Sequence, residues 1–253
     1  REAGALVVAK ANLTELARGG TTVSSLGGQT RNPYDLTRTP GGSSGGTGAA
    51  IAANFGTIGT GSDTGQSIRS PASAGNLVGI RPTRGLVSRD GIIPFGTTQD
   101  AAGPITRTVE DAARMLDVMA GYDPNDAITA FSRDKIPESY IHSLNPDGLA
   151  GARIGILAEF FGAEPRHTEV NEVTEAAIEQ MASLGAAMIR ISVPDIDELT
   201  RDLAVAAFEA KIAFDAYLTD LGLAAPVRSL EEFLEADEFH ESIREAMETA
   251  QGI

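Results

Sequence analysis

Glycine and serine crowd two short strings of this chain, Gly41-Gly42-Ser43-Ser44-Gly45-Gly46 and Asp63-Thr64-Gly65-Gln66-Ser67-Ile68-Arg69-Ser70-Pro71. Residues without a Cβ permit the turns that aim several backbone N–H groups at one point, and such a point can hold an oxyanion. A serine placed there becomes a nucleophile only if a base takes its proton, because an alcohol is weak at its own pKa.

The choice of base is narrow. His142, His167 and His240 all lie far downstream of Ser67 in loop-like or polar surroundings. A Ser-His-Asp triad can be assembled from distant segments, so that option stays open. Neither serine sits in a Gly-x-Ser-x-Gly elbow, since Gly65-Gln66-Ser67-Ile68-Arg69 departs from it at the last position. The chain has no cysteine, which excludes thiol nucleophiles. A Ser-Lys arrangement is the remaining standard option.

Four stretches together carry a resemblance: the two serine strings, Gly79-Ile80-Arg81-Pro82-Thr83-Arg84-Gly85, and Ala102-Gly103-Pro104-Ile105-Thr106-Arg107-Thr108-Val109-Glu110-Asp111-Ala112. The chain resembles the amidase signature family. Weaker likeness runs from Arg1-Glu2-Ala3-Gly4-Ala5 to Asn12-Leu13 and through Ala152-Arg153-Ile154-Gly155-Ile156, fading after Tyr217. The resemblance implies an α/β fold, a mixed β-sheet core covered by helices on both faces, with residues 1–253 as part of one domain.

It also implies a Ser-Ser-Lys triad. Ser67 falls at the nucleophile's position, and Ser43 at that of the bridging serine, which in the family follows a cis peptide bond after the glycine. The backbone N–H groups of Thr64, Gly65, Gln66 and Ser67 would hold the oxyanion; losing one such donor costs about 100- to 1000-fold in rate. Asp63, Arg69, Gly42 and Ser44 would support these loops. The third member is a lysine desolvated so that its pKa drops from about 10.4 toward neutrality.

That lysine is where the chain departs from the family, because the family's base lies farther upstream than the 42 residues that precede Ser43. Of the three lysines, Lys10 aligns with a different family lysine at a strand end, while Lys135 and Lys211 match no motif. The expectation is a chain that lacks its natural N-terminus and with it the catalytic lysine. Gln66 is a second departure, standing where glycine is common; its side chain either lines the acyl pocket or packs at the surface, and proximity to Ser67 favours the pocket.

The net charge of −15 sets the expected partners. So acidic a surface repels phosphate backbones, and direct nucleic-acid binding is not expected. The acids crowd residues 231–238 and 241–248, read as a solvated helix face or frayed tail, with a partner-binding helix as the alternative. No apolar run is long enough for a membrane span, and the absence of cysteine suits a reducing compartment, hence the cytoplasm. No Walker or dinucleotide string and no metal-ligand spacing is present, so neither cofactor nor metal is expected. The expected partner is a small-molecule amide, and a homo-oligomer stays open.

The local pattern predicts strands over Ala5–Ala9, Thr57–Gly61, Leu77–Arg81, Arg153–Leu157 and Ala187–Ser192. Helices are expected over Asn12–Ala17 with Asn12 as N-cap, over Gly46–Phe55, from Pro71, over Thr108–Ala120, over Val170–Leu184 and within Ile196–Leu221. Residues 123–151, polar and proline-punctuated, read as an irregular connection between two halves. The resemblance leaves three functions: a hydrolytic amidase, a glutamine-dependent amidotransferase A-type subunit, or a fragment or pseudoenzyme without its base. Gln66 and the segment Phe208–Leu218 favour the hydrolase.

Overall fold

The computed structural model describes residues 2–201, 203 and 205–252. Arg1, which opens the matched N-terminal stretch, Asp202 and Ala204 within the predicted helix-rich stretch, and Ile253 lie outside the described residues. In chain order the elements are β1 (Val23–Ser24), β2 (Gly28–Gln29), α1 (Gly45–Ala52), β3 (Ile58–Asp63), α2 (Arg69–Ala74), β4 (Val78–Gly79), β5 (Ala101–Thr106), α3 (Val109–Met119), β6 (Arg153–Leu157), α4 (Thr168–Ser183), β7 (Ala187–Ile191), α5 (Ile196–Thr200), α6 (Ala206–Leu221), α7 (Leu230–Ala236) and α8 (Arg244–Gly252). The chain is α/β. It divides into two compact units, Arg1–Ile141 with Val205–Ile253, and His142–Ala204.

In the larger unit β5 is the middle of a three-stranded antiparallel sheet ordered β3-β5-β4. All six of its residues are buried. The local pattern predicts no strand here; Gly103 and Pro104 are both disfavoured in strand interiors. The proline ring removes a donor, but Pro104 still uses its carbonyl, which accepts from Ile80 N–H at 3.1 Å. Register is fixed from Ile58 opposite Thr106 to Asp63 opposite Ala101. Val87, Ala102 and Leu116 form a core beneath it, with α3 started by Thr108, whose hydroxyl accepts from Asp111 N–H at 3.0 Å.

A second core is made by α6, α7, α8 and the 3-10 turn Glu241–Ile243 before α8, where Phe214, Leu218, Leu230, Ile243 and Met247 meet. Phe233 bridges it, edge-on to Phe214 at 5.6 Å between ring centroids and stacked on Phe239 at 4.9 Å. The acidic run is thus the wet side of two helices with a buried apolar side. On that wet side Arg244 pairs with Asp237 and Glu241.

Two predicted elements do not form. Residues 5–10 carry no secondary structure, and Leu6, Val7 and Val8 are exposed at 88%, 69% and 77%. An apolar run has strand propensity but becomes a strand only with a neighbour to pair with, and none is present among the described residues. Asn12 caps no helix. Its amide donates to Gly28 O and Thr30 Oγ1 and accepts from Ser24 Oγ, and only a short 3-10 turn, Glu15–Ala17, follows.

In the smaller unit β6 and β7 form a two-stranded parallel sheet with α4 between them in sequence. Arg190 on β7 pairs with Glu175 on α4 at 2.5 Å. Residues 123–151 contain two 3-10 segments, Ala127–Ser132 and Tyr140–Ser143, and otherwise turns.

Candidate active site

The two serine strings meet. Gly41–Ser44 is the turn that enters α1, and Asp63–Ile68 is the turn that links β3 to α2. The bonds that join them run through Ser44: its N–H donates to Ser67 O at 3.2 Å, and its hydroxyl bonds both Ser62 N and Ser62 O at 3.2 Å. Ser43 and Ser67 are both buried, at 1% and 8% exposure.

The Gly42–Ser43 peptide is cis. Gly42 is required by space, since a Cβ there would come within 2.6 Å of the Gly20 carbonyl carbon and 2.9 Å of Thr21 N, both backbone atoms that cannot swing away. Thr22 holds the turn from behind. Its hydroxyl donates to Gly41 O at 2.7 Å and accepts from Gly45 N at 3.1 Å, while Thr14 N–H donates to Ser43 O at 3.0 Å. Two of the first N–H groups behind the serine, those of Ser44 and Gly45, are therefore already engaged by Ser67 O and Thr22, so the start of α1 is less open to an anion than its position suggests.

Among the described residues Ser43 Oγ is buried without a hydrogen-bond partner. No hydrogen bond joins it to Ser67. A cavity of about 340 Å³ opens beside it, bordered by Ser43, Ser44, Thr47, Ser62, Val87 and Met119. Lys10 and Lys135 are exposed and Lys211 half-buried on α6, and none reaches the Ser43 hydroxyl. His240 is engaged locally with Ser242 at 2.9 Å, and His167 accepts from Glu164 N–H at 3.3 Å.

The Ser67 turn is anchored by a charge. Asp63 is fully buried, and its carboxylate accepts from the N–H groups of Ile68 at 3.0 Å and Arg69 at 3.3 Å. Arg69 closes on both carboxylate oxygens at 3.1 Å and reaches back to Gly65 O. Arg81 adds a contact at 3.2 Å. The bond to Asp63, ahead of burial that opposes it, raises the Arg69 pKa above its usual value. Among the described residues no protein acceptor takes the N–H groups of Gly65, Gln66 or Ser67.

The sequence singles out Asp63 and Arg69 beside Ser67, and the structure brings them together there. Sequence reasoning missed Thr22, Arg81 as an anchor, and Asp100, which accepts from Thr64 Oγ1 at 2.5 Å. Asp100 follows a turn and precedes β5, a place with no motif of its own. Gln66 is exposed and does not border the cavity beside Ser43; its side chain lies against Gly20, where a Cβ would stand 2.8 Å from the Gln66 amide nitrogen.

The family profile described as Amidase matches residues 1–251. The chain belongs to the amidase family. Among curated relatives, the A-type subunit of glutamyl-tRNA(Gln) amidotransferase from Acaryochloris marina is 47% identical over 192 residues, 76% of this chain and 39% of that protein. Among solved structures, the peptide amidase from Stenotrophomonas maltophilia superposes with a TM-score of 0.87 at 34% identity, covering 100% of this chain and 53% of that one. The A-type subunit of glutamyl-tRNA(Gln) amidotransferase from Thermotoga maritima gives a TM-score of 0.71 at 33% identity, covering 99% and 52%. The chain therefore spans well under half the length of the curated relative and about half that of the solved ones. Among the described residues no helix is long and apolar enough to cross a membrane, and no group of three or more metal-ligating side chains converges.

Proposed function

We propose that the protein to which these 253 residues belong is an amidase that cleaves a carboxylic amide through an acyl-Ser67 intermediate. Ser67 Oγ attacks the amide carbonyl, and the N–H groups of Thr64, Gly65, Gln66 and Ser67 receive the oxyanion. Ser43 relays the proton from Ser67 to a lysine, which returns it to the departing amine or ammonia; water then releases the acid by the reverse path. The observation that carries this reading is the Ser43 hydroxyl, buried and unpartnered in a turn bonded through its neighbour to the turn of Ser67. A buried hydroxyl left without a partner is costly, and a lysine amine from outside these 253 residues would complete it in the adjacent cavity.

The amidotransferase component is the second reading. It is favoured by the curated relatives, whereas the closer superposition on the peptide amidase favours the hydrolase. Ammonia release from a panel of simple amides by the full-length protein separates them, because the hydrolase needs no acyl-tRNA acceptor. Ser67→Ala should lower that release by at least about a thousandfold and abolish labelling by a serine-directed fluorophosphonate. Labelling that survives in Ser67→Ala removes Ser67 from the reaction, and robust turnover by the 253-residue chain alone removes the outside lysine from it.

A further inference from the structure

Three arginines are drawn inward around the serine turns and the loops behind them, and two of them have carboxylates. Arg81 stands 3.2 Å from Asp63, and Arg89 stands 2.7 Å from Asp126. Arg18 has none. It is only 8% exposed, its Nε is buried without an acceptor, and among the described residues its guanidinium makes no ion pair. It lies over the Phe95 ring, 3.7 Å from the centroid.

Asp100 is close enough to be felt but is already committed. Its carboxylate accepts from Thr64 Oγ1 at 2.5 Å, Phe95 N at 2.8 Å and Gly96 N at 3.0 Å. Burial lowers the Arg18 pKa to about 10 and the Asp100 charge opposes that, so the guanidinium remains charged at neutral pH. A buried guanidinium with no carboxylate bonded to it is unfavourable, and a carboxylate matches the guanidinium fork in shape as well as sign.

Its neighbours connect it to the nucleophile turn. Phe95 and Asp100 tie Arg18 to Thr64, and Gly20, two residues on, lies against the Gln66 side chain. Both contacts lead to the turn that carries Ser67. We propose that Arg18 determines specificity by binding a carboxylate carried by the substrate, so that the protein prefers amides bearing an anionic group over neutral ones. The inference rests on the acyl-Ser67 reading and narrows its substrate class.

Succinamate and butyramide match in length and differ in the carboxylate, which makes them the test pair for the full-length protein. The expected kcat/KM favours succinamate by at least about tenfold, and Arg18→Met brings the ratio to about one. Calorimetry supplies a readout without turnover: succinamate should bind Ser67→Ala protein at least about tenfold more tightly than butyramide, a preference lost in Ser67→Ala/Arg18→Met. A ratio near one in the unmodified protein, or a loss shared equally by both amides in Arg18→Met, overturns the proposal and assigns the guanidinium to a carboxylate of the protein itself. If Arg18→Met fails to fold, the two-ligand comparison in the Arg18-bearing proteins still decides. Turnover that persists in Ser67→Ala defeats the acyl-serine reading instead, while the binding comparison continues to judge Arg18.

Discussion

The surroundings of the serine turns and the unit His142–Ala204 are built from similar elements but close their interiors very differently. Around the serines, Ile68, Ile105 and Asp63 are fully buried. In His142–Ala204, α4 buries no residue, Val170 and Val173 are 66% and 72% exposed, and of the large apolar side chains on β6 and β7 only Ile156 is buried. Parallel strands are ordinarily covered on both faces. Periodicity along the chain is thus enough to form the element, whereas burial depends on which neighbours are present to complete it.

Replacing one apolar side chain in each region gives the largest expected contrast. Ile105→Ala, in a fully buried strand, should cost about 4 kcal/mol in denaturant unfolding, while Val173→Ala in the 253-residue chain should stay within about 0.5 kcal/mol. A cost above about 1 kcal/mol for Val173→Ala in the full-length protein would mean that α4 is covered there, and the contrast would then belong to the 253 residues alone.

Asp63→Ala should follow, at about 3 kcal/mol, the low end for breaking a buried pair because the Arg69 side chain keeps 53% exposure and can return to water. It should also slow fluorophosphonate labelling of Ser67 in the full-length protein, since the turn loses the acceptor for Ile68 and Arg69 N–H. Unchanged stability and labelling would show that the turn holds its shape without the charge. By contrast Glu175→Ala, which breaks the exposed pair with Arg190, should cost less than about 1 kcal/mol.

The smallest effect concerns acid. Bonding to Arg89, ahead of burial that opposes it, holds the Asp126 carboxyl below the usual carboxylate range. A depressed folded pKa contributes stability that is complete above the unfolded pKa of about 3.9 and is lost as pH falls through the lower folded value. Asp126→Asn should therefore flatten part of the acid limb of the stability curve below about pH 4, and an unchanged limb would show that the pair is not what titrates there.

Much of the fold is legible along the chain. The spacing of Val109, Ala112, Ala113 and Leu116 marks α3, and Thr108 and Gly121 mark its ends. The serine strings mark both turns, because glycine clusters have few other uses. β5 is hidden by its own Gly103 and Pro104, and Asn12 looks like a cap because its bonds to β1 and β2 are long-range. Thr22, Arg18 and Asp100 act through contacts 19 to 36 positions away or across an aromatic ring, distances over which a local pattern carries no signal. The catalytic roles proposed for Ser43 and Ser67 come from resemblance, and geometry adds the adjacency of their turns.

The Ser44 bonds have a further consequence for what insertions the chain tolerates. They fasten both ends of a segment containing α1 and β3, while β3 is locked residue by residue to β5. Adding one residue within β3 would turn Asp63 to the opposite side of the sheet and slide Ser67 away from Ser44. The interval between the serines therefore works as a ruler, whose length is set by the pairing of strands rather than by the chemistry at either end.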